Sequence, residues 1–290
     1  MLVIGATGRQ GGAVVRHLAR QGFRVRAMTR DPGKPDAKAL TDPGVEVAKG
    51  DLDDRASLER AMQDAYGVYS VQDWRGGAQR EIEQGCRVAD VAKSSGVQHL
   101  VYSSVVSADR ETGLPHFESK WAIEQHIRDI GLPFTILRPV FFMENWETAY
   151  ADSIRGGILP TPLDPTCRLQ QIATDDIGAV AAAAFGQPDQ YMGQTLELAG
   201  DDLDMLQTAF ALGNALGGHV EYAQISWADY ERAAGQELTR MYRWFNDVGY
   251  SVDIAALRVG FPFLKTLEQF LAEQEWIKAG PKAGTVAPTG

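Results

Sequence analysis

The chain has 290 residues, 44% of them hydrophobic, and carries 28 basic against 38 acidic side chains for a formal charge of -10. That size and apolar content suit one large folded domain with a smaller companion, and the acidity argues against a nucleic-acid partner. Two cysteines, Cys86 and Cys167, form no CxxC pair, so no metal site or disulfide framework is expected and a reducing, cytoplasmic setting fits; no apolar run reaches the roughly 20 residues of a membrane span.

The opening Leu2-Val3-Ile4 reads as a buried strand and not as a signal peptide. A glycine-rich turn follows, then a helix over Gln10–Gln21 with Val14 and Leu18 on one face and Gly22 as its stop. Strands are predicted at Arg24–Met28 and Val45–Val47. Asp54 then caps a helix in which Leu58, Ala61, Met62 and Ala65 recur at helical spacing. A strand at Val68–Val71 leads to a helix over Gln79–Ser94 that aligns Ile82, Cys86 and Ala89, followed by strands at Val97–Tyr102 and Phe134–Leu137. Strands alternating with helices at this spacing predict an α/β fold, a Rossmann-type doubly wound parallel sheet.

Beyond Phe141 the pattern changes. Gly156–Pro165 is a Gly/Pro-rich break, and Thr174-Asp175-Asp176 opens an alanine-rich helix over Ile177–Phe185. Strands near Thr195–Leu198 and Val220–Ile225 come later, among helices rich in Trp and Phe. The expected organisation is a nucleotide-binding domain over residues 1–150, with 170–186 returning to it. A smaller α/β domain over 151–169 and 187–278 is expected across the mouth of the sheet. The Gly-, Pro-, Ala- and Thr-rich segment 279–290 reads as a disordered tail.

Gly5-Ala6-Thr7-Gly8-Arg9-Gln10-Gly11 has the spacing G-x-x-G-x-x-G between an apolar strand and an amphipathic helix. Glycine there permits a tight turn and close approach of backbone to a pyrophosphate, which the first amides and positive end of the helix then bind. Arg9 is placed to reach phosphate as well. Nucleotide choice is read at the end of the second strand, Met28-Thr29-Arg30-Asp31-Pro32-Gly33-Lys34. Arg30, with Lys34 as a second charge, suits a 2′-phosphate and hence NADP(H). Asp31 as ribose ligand would instead mean NAD(H). Gly50-Asp51-Leu52 follows the third strand, where Asp51 either accepts from an adenine amino group or belongs to a helix-capping loop.

His116 and Lys120 lie one helical turn apart, and Lys120 heads the stripe Ile123, Ile127, Ile130. A lysine at the head of an apolar stripe either snorkels to solvent or meets a partner inside, and a nucleotide ribose is the expected partner. His116 is a candidate general acid. Ser103 and Ser104 end the fifth strand at the carboxyl edge, where ligands bind such sheets, and either hydroxyl is a candidate substrate contact. Trp74, Phe141, Phe142, Trp146 and Trp227 are candidates for the cleft mouth, suited to a planar substrate, or ordinary core.

These pieces together resemble the NmrA-like family of atypical short-chain dehydrogenases. The matching segments are Gly5–Val14, Met28–Pro32, Lys49–Asp54, His116–Trp146 and Thr174–Gly178. Short-chain dehydrogenases pair Tyr with Lys as Tyr-x-x-x-Lys; here the lysine is Lys120 and His116 stands at the tyrosine position, as is normal for this family. The resemblance implies a bound NADP or NAD, the 2′-phosphate held by Arg30 and Lys34, Lys120 as the retained lysine, and Pro139, Phe141 and Phe142 where the chain passes the nicotinamide. Some relatives reduce quinones, ketones or related small molecules. Others are redox sensors that act through a regulatory protein partner. The expectation is an NADPH-dependent reductase of a small planar carbonyl or quinone-like substrate, with the non-catalytic sensor as its alternative.

Overall fold

The computed structural model describes residues 1–40 and 43–278; the tail expected over 279–290 lies outside them. The chain divides into two compact units, one comprising Met1–Pro139 with Thr174–Leu198 and the other Val140–Ala173 with the chain from Ala199 onward.

The first unit begins with β1 (Leu2–Val3), α1 (Arg9–Arg20), β2 (Val25–Thr29), α2 (Pro35–Lys38), β3 (Val45–Lys49), α3 (Arg55–Met62) and β4 (Gly67–Ser70). It continues through α4 (Ala78–Ser94), β5 (His99–Ser103), α5 (Pro115–Asp129) and β6 (Phe134–Pro139). After an excursion into the second unit through β7 (Phe141–Phe142), α6 (Asn145–Arg155), β8 (Ile158–Thr161) and β9 (Arg168–Ile172), the chain returns. It then adds α7 (Thr174–Gly186), α8 (Pro188–Tyr191) and β10 (Thr195–Leu198) to the first unit.

The sheet of the first unit has seven strands in the order β10-β6-β5-β4-β1-β2-β3, and every adjacent pair is parallel. Parallel strands covered on both faces carry apolar runs without alternation, and β4 and β5, with Val68-Tyr69 and Leu100-Val101-Tyr102 at their centres, are buried along their whole length. Leu58 and Met62 of α3, Val88 and Ala92 of α4, and Ile123 and Ile127 of α5 pack with Leu2, Val68, Leu100 and Ile136 in one core. Each of the larger side chains contributes about 1.5–3 kcal/mol by leaving water. Helices α1 and α7 pack together and against strands on the other face. They approach so closely that a Cβ on Gly178 would lie 2.7 Å from the Ala13 backbone. Strand order reverses between β1 and β4, and the crevice outside the carboxyl ends at such a switch point is where nucleotides bind this architecture.

The second unit continues with β11 (Asp201–Asp204), α9 (Met205–Leu216), β12 (Glu221–Gln224), α10 (Trp227–Ala234), α11 (Gln236–Asp247), α12 (Ile254–Gly260), α13 (Leu267–Glu273) and α14 (Glu275–Lys278). It holds a three-stranded sheet β11-β9-β7 and a two-stranded pair β12-β8. Its core is aromatic: the Phe141 and Trp146 rings lie 5.1 Å apart, and the Tyr150 and Tyr242 hydroxyls are 3.0 Å apart. No described helix is long and apolar enough to cross a membrane.

Three sequence expectations are corrected. Thr195–Leu198, assigned to the smaller domain, pairs with β6 at the edge of the parallel sheet, because its register places Leu196 and Leu198 beside Leu137 and Pro139. The break at Gly156–Pro165 contains β8; Pro160 is accommodated in a two-stranded pair, where one missing donor leaves no central ladder broken. The buried face of α4 runs through Glu81, Gly85, Val88 and Ala92, while Ile82 and Cys86 are only half-buried.

Candidate functional site

Gly5 has φ +70, a left-handed conformation that glycine adopts without penalty, and a Cβ there would meet the Val71 side chain at 2.9 Å. The Gly8 amide donates to the Gly5 carbonyl at 2.8 Å, closing the turn. A Cβ on Gly11 would lie 2.2 Å from that same carbonyl oxygen. Gly8 is the N-cap of α1, with no side-chain cap bond and no acidic residue in the first turn. The first amides of a helix have no partner within it, and where a glycine cradle precedes them they have the geometry of an anion site. Thr7, Gly8 and Arg9 are exposed on this turn. The Gln10 side chain turns the other way: its Oε1 accepts from Tyr69 Oη at 3.0 Å and Ser103 Oγ at 2.7 Å, tying α1 to β4 and β5.

A cleft of about 360 Å³ brings together Gly5, Thr7, Arg30, Lys34, Asp51 and Leu52. Arg30 and Lys34 are both exposed. Asp31 lines the same cleft, and its Oδ1 accepts from the Gly33 amide at 2.9 Å, which shapes its own turn. Asp51 Oδ1 likewise accepts from the Asp53 amide at 3.0 Å and shapes the loop that Asp54 then caps through the Ser57 amide. Arg80 of α4 lines the same cleft and is fastened to Asp53 at 2.6 Å. A larger hollow, about 980 Å³, lies around Met1, Val25 and Val45 at the amino ends of the strands. Ligands of doubly wound sheets bind at carboxyl ends, so the smaller cleft is the candidate site.

Lys120 is only 9% exposed. Its Nζ donates to Glu81 Oε1 at 2.8 Å, and Ser119 Oγ donates to Glu81 Oε2 at 2.5 Å. The inward lysine expected from the sequence is present, but the partner it meets within the chain is a carboxylate. Glu81 was not singled out from the sequence. The available signal was its place at the head of the stripe Gly85, Val88, Ala92, a mirror of Lys120 on its own helix. His116 is buried, stacked on Trp74 with ring centroids 5.0 Å apart and edge-on to Phe117 at 5.0 Å. Ser103 is engaged by Gln10, and Ser104 Oγ donates to Glu124 Oε1 at 2.6 Å. Arg138 forks onto both oxygens of Glu124 at 2.9 and 2.8 Å. Burial works against the guanidinium's charge, but Glu124 and Asp109 more than offset it and its pKa is raised.

Two further polar groups near these strand ends escaped sequence reading. Ser107 has φ +66 and a buried hydroxyl without a partner, and the buried Gln72 Oε1 is likewise unpartnered. Backbone conformation and hydrogen-bond satisfaction leave no periodic trace, so neither was legible. Pro139 ends β6, where its carbonyl accepts from the Val106 amide, while Phe142 is half-buried in β7 of the second unit. Phe141 and Trp146 belong to that unit's core, and Arg243 lies 4.6 Å over the Trp227 ring.

A glycine cradle leading into an uncapped helix, at the switch point of an all-parallel sheet, defines a Rossmann-type dinucleotide-binding fold. The chain belongs to the NmrA-like family, whose model matches residues 1–271. It is similar to the NAD(P)H azoreductase of Xenophilus azovorans, 30% identical over 80% of this chain and 79% of that one. Among solved structures it resembles an NADPH-dependent quinone oxidoreductase of Escherichia coli, determined with NADPH (TM-score 0.80, 24% identity, 94% and 99% of the two chains covered). It also resembles NmrA, a negative transcriptional regulator determined with NADP (TM-score 0.79, 22% identity, 95% and 98% covered).

Proposed function

We propose that the chain is an NADPH-dependent reductase acting on a small planar carbonyl or quinone-like acceptor. The observation that carries this reading is the cleft in which the glycine turn and the exposed Arg30 and Lys34 meet. The residues present fit a phosphorylated dinucleotide: a Cβ would fill the cradle at Gly11, the first turn of α1 holds no competing acidic residue, and Arg30 and Lys34 are exposed in the cleft. The α1 amides would hold the diphosphate, Arg30 and Lys34 the 2′-phosphate, and Lys120 the nicotinamide ribose. A bound nicotinamide would supply the hydride. His116, one turn before Lys120 and shielded from water by Trp74, is the proposed proton source for the acceptor oxygen. The azoreductase and quinone oxidoreductase activities carried in the names of similar proteins support a planar acceptor.

Calorimetry is expected to show tighter binding of NADPH than NADH. Arg30→Ala should weaken NADPH by about 10- to 100-fold, the worth of a charge-assisted hydrogen bond, and leave NADH nearly unchanged. NADPH oxidation is expected with at least one member of a quinone and ketone panel, and Lys120→Ala should abolish it. The second reading, a nucleotide sensor acting through a protein partner, is favoured by the likeness to a transcriptional regulator. Tight NADPH binding with no turnover across the panel would select it. No affinity for either nucleotide would end both.

A further inference from the structure

We infer that Glu81 is a positioning residue for the reaction, acting through Lys120: it fixes the direction of the ammonium group that receives the ribose. The inference rests on the proposed ribose-binding role of Lys120. Glu81 is fully buried, and a buried carboxylate is retained at a cost unless its charge and lone pairs are met. Both oxygens are met by neighbouring residues of α5, Oε2 by Ser119 and Oε1 by Lys120. An ammonium has three donors on a freely rotating head. One of them committed to Glu81 at 2.8 Å fixes the axis of that head and leaves the others directed away from the carboxylate.

The other charged and titratable groups around the pair do not take over this task. Glu124, one turn beyond Lys120 on α5, is held by Arg138 and Ser104. Tyr102 of β5 is kept neutral by burial and by the Glu81 and Glu124 charges. His116 stacks on Trp74. Glu81 also sits between Arg80 and Gln84, two α4 residues that line the nucleotide cleft. The helix that shapes one wall of the cleft therefore supplies, from its buried face, the group that orients the lysine. A carboxylate serving only to staple α4 to α5 would show the same contacts, so the test must separate the two roles.

The separation comes from a double-mutant cycle with Glu81→Gln, Lys120→Met and the pair, read as NADPH affinity by calorimetry and as kcat and KM with menadione, alongside Glu81→Asp. Glu81→Gln keeps the side-chain volume, and thermal melts report whether each variant is folded. The expected result is a tenfold or greater loss for each single variant, a double variant no worse than Lys120→Met, and partial recovery in Glu81→Asp. The inference is overturned if folded Glu81→Gln stays within twofold of the parent, or if the two losses multiply. If Lys120→Met itself binds and turns over NADPH normally, the ribose role of Lys120 fails and Glu81 loses its task with it. That outcome is recognised because the lysine variant, and not the glutamate variant, is the silent corner of the cycle.

Discussion

A methyl group at Gly11 would be driven to 2.2 Å from the Gly5 carbonyl oxygen, and the obstacle is backbone that cannot rotate away. Gly11→Ala is therefore expected to cost about 3 kcal/mol, the upper end for overpacking, and to abolish nucleotide affinity. Urea midpoints and calorimetry read the two effects separately. His99 makes a different kind of prediction. It is fully buried, its Nε2 lies 2.8 Å from Thr135 Oγ1, its Nδ1 has no partner, and burial pushes its pKa down from 6.5 to about 4. The unfolded chain binds this proton at a higher pH than the folded one. Its contribution is therefore complete above pH 6.5 and is lost as pH falls toward 4, by up to about 3 kcal/mol. Urea stability of the parent should fall more steeply than that of His99→Gln across that window, and equal slopes would refute the assignment.

Among the elements, legibility followed burial. The strands of the parallel sheet announce themselves because consecutive residues such as Val68-Tyr69 and Leu100-Val101-Tyr102 are apolar and buried on both faces. The glycine turn was legible for a related reason, since close backbone approach demands glycine whatever else varies. By contrast, α4 was read one position out of phase because its buried face opens with a carboxylate, and Glu81 becomes a sensible core residue only once α5 supplies Lys120. β10 was misassigned because Thr195-Leu-Glu-Leu alternates like a half-exposed strand, and its pairing with β6 joins segments about sixty residues apart in the chain. The alanine-rich composition of α7 is explained by its approach to α1, where Gly178 lies against Ala13 and Val14. Gly178→Ala is expected to destabilise by about 1–3 kcal/mol despite its better helix propensity, measured as a lower urea midpoint at unchanged slope. A neutral or stabilising effect would show that the two helices can separate freely.

At the scale of the whole chain, the polypeptide passes from one unit to the other at 139–140, 173–174 and 198–199. The unit that carries the glycine turn is therefore incomplete until α7 and β10 have been made. A fragment ending at Pro139 lacks the helix that covers α1 and the strand that pairs with β6. Such a fragment is expected to show no cooperative thermal transition by circular dichroism and to elute as aggregate in size exclusion. A monomeric fragment with a sharp transition would mean that the returning segment is dispensable for folding.

The seven-stranded sheet stops at β3 on one rim and β10 on the other. Glu46 and Lys49 stand on the first of these terminal strands and Glu197 on the second. Charged side chains on outermost strands are a common means of making a sheet edge a poor template for a foreign strand. The same ionic side chains that look incidental in a survey of the surface thus act as gatekeepers, discouraging the fibrous growth that bare ladder ends invite.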